Sequence, residues 1–394
     1  MNYCPYCMQP AEGPICGYCG RSAQVQSEPG QLPVGTILQS SQGMTYQIGA
    51  VLGQGGFGIT YAAMALNSLS RVAIKEYFPA NYASRISGTQ VFRLHGYEQR
   101  FANGIRGFMD EAMMLSAVGA LPSVVSVMDH FEANGTAYLV MEFVDGVPLH
   151  HVVERQGRFS AEQLLPLLQG LMRDLEILHK AGVIHRDVSP DNLMITPDGR
   201  IKLLDFGSAR NYQDERSLTM LLKTGFSPIE QYCSRGQGAW TDVYALAATI
   251  YYCLTGVLPP SAVERLEGDT VQSPRAYGAN LTQEQEFVLQ RAFAIQPKQR
   301  YQDMGKFRRE MFPKAKSSRF VAENKDPFAD GKTVALQQDN AYSTYSKQSV
   351  APPSEVYPPA QKSGMDRKLL LLIICGISII ALANIILLIV LLAS

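Results

Sequence analysis

Beginning near Tyr46, short apolar runs with β-like character give way to longer runs whose apolar residues recur at helical spacing, ending near Phe312. "VLGQGGFGITYAA", the turn-rich "LNSLS" and "RVAIKEYF" predict strand, glycine-rich loop, strand, turn and strand. "FMDEAMMLSAV" predicts a helix that turns Met109, Ala112, Met113 and Val118 inward. "TAYLVMEFVDG" predicts an apolar strand followed by a turn. "SAEQLLPLLQGLMRDLEILHKAG" predicts a buried helix with Ser160 as N-cap and Gly182 as C-cap. Outside this region the pattern changes. Residues 1–20 are rich in Cys, Gly and Pro, and residues 21–45 are polar and turn-rich, as expected of a linker. Residues 313–366 have no apolar period and are expected to be a disordered linker. Residues 369–393 are almost wholly apolar.

Composition adds three constraints. Lys plus Arg and Asp plus Glu both number 35 in the 394-residue chain, so net charge gives no indication of a nucleic-acid partner. The N-terminus lacks the basic, apolar and small-residue succession of a signal peptide, which leads to the expectation of a reducing compartment. There, paired cysteines bind metal more often than they form disulfides. "CPYC" and "CGYCG" hold two Cys-x-x-Cys pairs, Cys4 with Cys7 and Cys16 with Cys19. Two residues between thiolates let one tight turn aim both sulfurs at one ion, and two such turns complete a tetrahedral structural Zn²⁺ site. So short a segment cannot build a core, so the metal would supply the folding energy.

The apolar run "LLLLIICGISIIALANIILLIVLLA" is long enough, at about 1.5 Å per residue, to cross a hydrocarbon layer of about 30 Å. Lys362, Arg367 and Lys368 precede it and no charge follows within the chain, so the expectation is a single-pass cell-membrane anchor with the main domain cytoplasmic. The expected mode of insertion is post-translational.

The chemistry-bearing motifs come in a fixed order. Gly53, Gly55 and Gly58 follow Leu52 in G-x-G-x-x-G spacing, and Lys75 lies in "VAIK". Dinucleotide folds share the glycine spacing but use it to open a helix, whereas "ITYAA" is β-like. Then come Glu111, "HRDVSPDN" from His185 to Asn192, "DFG" beginning at Asp205, "SPIEQY" containing Glu230, Asp242 in "TDVYALAAT", and Arg300 in "QPKQRYQDM". Taken together, these motifs resemble a bacterial, eukaryotic-like (Hanks-type) serine/threonine protein kinase.

That resemblance implies an α+β, two-lobed kinase fold over residues 46–312, with the small lobe at about 46–144 and the larger at about 145–312, joined to a zinc ribbon and one transmembrane helix. It implies ATP and Mg²⁺ as cofactors and proteins as substrates. Leu52 and the three glycines would cover the nucleotide, with Glu142 and Val144 meeting the adenine edge and Met141 behind it. Lys75 would contact the phosphates and pair with Glu111. Glu76 faces the other side of its strand. Asp187 would orient the acceptor hydroxyl, while Asn192 and Asp205 hold the metal ions. His185 and Phe206 are expected to pack rather than react, Glu230 to pair with Arg300, and Asp242 to prop the catalytic loop. Ser217, Thr219 and Thr224 are candidate phosphorylation sites in a long activation segment, and Arg210 a candidate phosphate contact.

One position departs from the pattern. The lysine that ordinarily follows the catalytic Asp by two residues is Ser189. Its loss leaves the rate and the preference for Ser/Thr over Tyr open, and it raises an alternative: a pseudokinase scaffold that binds nucleotide and recruits partners. Phosphotransfer separates the two. The insert between Lys75 and Glu111 carries Arg85, Arg93, His95, Arg100 and Arg106 and is expected to be solvated. A homodimer is left open.

Overall fold

The structure, a computed structural model, describes residues 3–205, 222–233 and 236–313. Strands β1 (Ile37–Gln39), β2 (Thr45–Gln54), β3 (Gly58–Ala65), β4 (Ser70–Tyr77), β7 (Val127–Ala133) and β8 (Thr136–Glu142) form one six-stranded antiparallel sheet, in the order β1-β2-β3-β4-β8-β7. The short pair β5 (Ala83–Ser84) and β6 (Phe92–Arg93) stands beside it, and helix α1 (Glu98–Val118) packs on β7 and β8. The larger lobe has a small sheet of β9 (Val147–Pro148), β10 (Leu193–Ile195) and β11 (Ile201–Leu203). Around it lie α2 (Leu149–Gln156), α3 (Ala161–Lys180), α4 (Ile229–Tyr232), α5 (Ala239–Thr255), α6 (Ala262–Glu267), α7 (Gln283–Ala292) and α8 (Met304–Met311).

The helix α3 starts where its sequence says it should. Ser160 accepts from the Gln163 amide and Gln163 returns the bond, a reciprocal cap. Its leucines 164, 165, 168, 171, 175 and 178 enter the core. Helix α5 is buried along almost its whole length, consistent with a run that is apolar on every face. α1 begins at Glu98, ten residues before the expected helical run, because Phe101 supplies a further inward apolar position. Its inward face is Phe101, Ala112 and Leu115 with Glu111, whereas Met113 is 49% exposed and was misplaced by the periodicity.

Two other expectations change. The segment expected as a linker is structured from Leu32 onward: Leu32 is buried, its amide donates to the Tyr61 hydroxyl at 3.0 Å, and β1 pairs with β2. Its isolated apolar residues, Leu32 and Leu38, had no period to reveal them, yet both find a place in the small-lobe core. Arg85, expected in a solvated insert, is buried and pairs with buried Glu76 on the back of β4. Tyr138 and Tyr61 also donate to the Glu76 carboxylate, at 2.8 and 3.1 Å. A buried charge is tolerated only with this degree of pairing.

The four cysteines of residues 4–19 fold as two knuckles seated on β3. Met8 packs on Ala62 and Met64, and the Ala50 amide donates to the Pro5 carbonyl at 2.7 Å. This explains why β3 is apolar on both faces: alternate residues meet the small-lobe core on one side and the cysteine segment on the other. Among the described residues, no helix is long and apolar enough to cross a membrane, and the expected span 369–393 lies outside them.

Candidate active site

β2 and β3 join through the glycine-rich turn, which the Gly55 amide closes by donating to the Gly58 carbonyl at 2.9 Å. A Cβ on Gly58 would come within 2.5 Å of the Glu76 carbonyl, so the turn can lie this close to β4 only with glycine there. Leu52, at the end of β2, is 44% exposed on this side. Lys75 stands opposite Thr60 on β3 and Leu139 on β8, and its ammonium pairs with the Asp205 carboxylate. Thus β4 reaches the residue two past the end of β11 in the other lobe.

Glu111 is buried beside this pair, but its Oε1 has no hydrogen-bond partner. Burial pushes its carboxyl well above the ordinary value, against the pull of Lys75. The expected Lys75–Glu111 ion pair is therefore replaced here by Lys75–Asp205. Two carboxylates compete for one ammonium, and Asp205 holds it.

The catalytic loop is built on Asp242. Its buried carboxylate accepts from the amides of His185 at 2.8 Å and Arg186 at 2.7 Å, and lies 2.7 Å from His179 Nε2. Burial alone would raise the pKa of Asp242, but the bond from His179 and the two imidazoles hold it below the ordinary value. His185 Nε2 donates to the Leu204 carbonyl at 2.9 Å while its Nδ1 accepts from the Asp187 amide at 3.2 Å, which fixes a neutral tautomer. Burial lowers the His185 pKa in the same sense. Arg186 and Asp205 both have positive φ, at 67° and 52°, a conformation that non-glycine residues adopt at a cost and that clusters at functional sites. No sequence pattern announces that strain.

Asn192 donates from Nδ2 to the Asp187 carbonyl at 2.9 Å and accepts the Leu204 amide on its own carbonyl at 2.8 Å. The β10–β11 register, Leu193 opposite Leu203, thereby sets Asn192 opposite Leu204, the residue before Asp205. Asn192 and Asp205 both offer oxygen donors of the hard type that suits Mg²⁺. At the hinge, Glu142 closes β8, its carboxylate bonded to Lys202 and to the Ser126 amide; Met141 is buried, and Val144 is half-buried against the large-lobe core.

Asp187 itself faces a residue that the sequence reading passed over. Lys223 Nζ is 3.1 Å from Asp187 Oδ1, 2.8 Å from Ser189 Oγ and 3.5 Å from Asp191 Oδ2. Burial raises the Asp187 pKa, and Lys223 opposes that rise. Further out, Arg300 pairs with Glu230 in the interior at 2.7 and 3.1 Å and fixes the end of the activation segment. Thr224 is exposed; Phe206, Arg210, Ser217 and Thr219 lie outside the described residues.

Residues 46–325 match the protein kinase domain family. The chain belongs to that family. It is 31% identical to serine/threonine-protein kinase B of Synechocystis over 65% of this chain and 42% of the relative. It is 30% identical to serine/threonine-protein kinase PknB of Mycolicibacterium smegmatis over 68% of this chain and 42% of that one. This chain therefore spans less than half the length of these relatives. The solved apo form of PpkA-294 superposes with a TM-score of 0.62 at 33% identity, covering 72% of this chain and 99% of that one. A likeness to Rad53 1-466 in complex with AMP-PNP, at 19% identity and a TM-score of 0.51, shows the fold alone.

At the other end of the small lobe, the Sγ atoms of Cys4, Cys7, Cys16 and Cys19 all lie within 4.8 Å of one another, with Cys4–Cys19 at 3.6 Å and Cys7–Cys16 at 3.7 Å. Four sulfurs about 2.3 Å from a central ion would be roughly 3.8 Å apart, so the donor set fits Zn²⁺ in number, type and spacing. Hydrogen bonding from the Cys19 backbone is the main influence that draws the Cys16 thiol down to about 7, whereas burial pushes the Cys7 and Cys19 thiols up.

Proposed function

We propose that this chain is an ATP-dependent serine/threonine protein kinase, with a structural Zn²⁺ in its N-terminal ribbon and a membrane tether in residues 369–393. One observation supports the catalytic reading: Lys75 of β4 pairs with Asp205 beyond β11, and Asn192 of the same stretch as Asp187 bonds the Asp187 carbonyl, so three separate stretches of sequence carry the four groups toward one another. Pseudokinases typically lack one or more of these groups. The names of the relatives support the Ser/Thr assignment.

Bound MgATP supplies the phosphoryl group and much of the charge neutralisation. Lys75 would hold the phosphates, and Asn192 with Asp205 the metal. Asp187 would orient the acceptor hydroxyl and take its proton, in a loop made rigid by His185 and Asp242. Because phosphoryl transfer is largely positioning and electrostatics, that rigidity is a large part of catalysis.

The decisive measurement is transfer of radiolabel from γ-labelled ATP to the protein itself and to generic Ser/Thr substrates. Wild type is expected to label, and Asp187→Asn to lose nearly all transfer while still binding ATP. Equal background from both would refute the catalytic reading and leave the scaffold in its place. Elemental analysis should find close to one Zn²⁺ per chain in freshly purified, reduced protein; absence of metal would refute the ribbon assignment.

A further inference from the structure

We propose that Lys223 is the catalytic cation of this site, replacing from the activation segment the lysine whose place in the catalytic loop is taken by Ser189. The proposal rests on the kinase reading above. Its basis is convergence. Ser189 is fully buried and its Oγ meets Lys223 Nζ at 2.8 Å, so the ammonium occupies the space into which a longer side chain at position 189 would extend. The same ammonium is 3.1 Å from Asp187 Oδ1, the group expected beside the acceptor hydroxyl, and 3.5 Å from Asp191 Oδ2. Three oxygens thus surround the three N–H donors of one ammonium. The serine is small enough to admit the lysine and polar enough to steer it.

The backbone carrying Lys223 is held from several directions. Its amide donates to Ser227 Oγ at 3.0 Å, and its carbonyl accepts from the amides of Phe226 and Ser227 at 3.0 and 2.9 Å. Gly225 has φ +83° and lies where a Cβ would come within 2.6 Å of the Pro259 carbonyl, so this tight turn is pinned against the large lobe. Gln231 Nε2 then donates to the Arg186 carbonyl at 2.8 Å, tying the following helix to the catalytic loop. The stem is fixed, while the side chain remains 29% exposed and open to the cleft. A positive charge here, within contact distance of Asp187, can hydrogen-bond the transferring phosphoryl group.

The same geometry would also serve an opposite role: a latch that blocks Asp187 until displaced. The two roles predict changes of opposite sign. The experiment measures kcat, KM for ATP and melting temperature for wild type, Lys223→Met, Lys223→Arg, Ser189→Lys and the exchange Ser189→Lys/Lys223→Ser, with Mg²⁺, ATP and a generic Ser/Thr protein substrate. Lys223→Met is expected to lower kcat by about 10²–10³-fold, the loss typical of one transition-state donor, with little change in KM. Lys223→Arg should retain more activity than Lys223→Met. The exchange should recover most of the rate, because it returns one ammonium to the same place from the other side. Ser189→Lys alone crowds two ammonium groups and should not exceed wild type.

If Lys223→Met matches or exceeds wild type, the proposal is overturned and, in the second case, the latch takes its place. An exchange variant that melts like wild type but is no faster than Lys223→Met overturns it as well, even where Lys223→Met itself is poorly folded. Inactive wild type would fail the kinase reading first, and the proposal with it.

Discussion

Glu111 carries a buried carboxylate with an unbonded oxygen, and such groups cost stability in exchange for function. Burial raises its pKa well above the ordinary value, so the folded state binds a proton more readily than the unfolded chain does. Stability from this group is therefore present at low pH and lost as pH rises above the ordinary value of 4.5. Glu111→Gln should lower phosphotransfer yet raise the melting temperature at about pH 8, by the equivalent of roughly 1–3 kcal/mol. The gap from wild type should close as pH falls toward 4.5, which parallel thermal melts would reveal. Glu76 presents the contrasting case, since Arg85 and two tyrosines complete its bonding. Arg85→Met should cost about 3–5 kcal/mol by stranding that carboxylate, and adding Glu76→Gln should return much of it in denaturant titrations. Asp187, Asn192, Asp205 and Lys75 could be read from the sequence because their spacing is set by the chemistry. Arg85 and Lys223 could not: each depends on a partner 9 to 36 residues away whose position only the tertiary fold determines.

At the level of elements, the cysteine knuckles and β3 form one unit. Gly49 marks the seam: a Cβ there would lie 1.9 Å from Met8 Cε and 2.3 Å from the Pro5 carbonyl. The methionine tip can move, but the carbonyl is held by the Ala50 amide. Gly49→Ala should therefore push the ribbon from the sheet at a cost of about 1–3 kcal/mol, while leaving four cysteines able to bind metal. Limited proteolysis should then cut near residues 20–30, with Zn²⁺ content unchanged. Unchanged protection in the variant would mean that the docking contact contributes little. The strand and helix order was legible from periodicity, and α3 even from its cap. The docking was not, because Met8 is a single apolar residue in a polar segment and Ala62 and Met64 look like ordinary strand positions. Only the unusual two-faced apolarity of "ITYAAMA" hinted that β3 has something on both sides.

For the whole molecule, the proposed membrane tether rests on the apolar run at residues 369–393. A helix of that length measures about 37 Å, more than the roughly 30 Å of hydrocarbon, so it can span with some tilt. Leu and Ile each favour insertion by about 0.3–0.6 kcal/mol near the centre of the span, which outweighs the lone Asn384 many times over. Lys362, Arg367 and Lys368 lie on the side of the kinase domain and would hold it on the cytoplasmic face. Full-length protein is therefore expected in the membrane fraction after a high-salt wash, since surface charge alone would not survive screening. A chain ending at Gly364 should be recovered in the soluble fraction with its Zn²⁺ and its phosphotransfer intact. In sealed vesicles with the cytoplasmic face outward, added protease should digest the kinase domain without detergent. Recovery of the full-length chain in the soluble fraction, free of detergent and chaperone, would rule out the anchor, and a protected kinase domain would reverse the orientation.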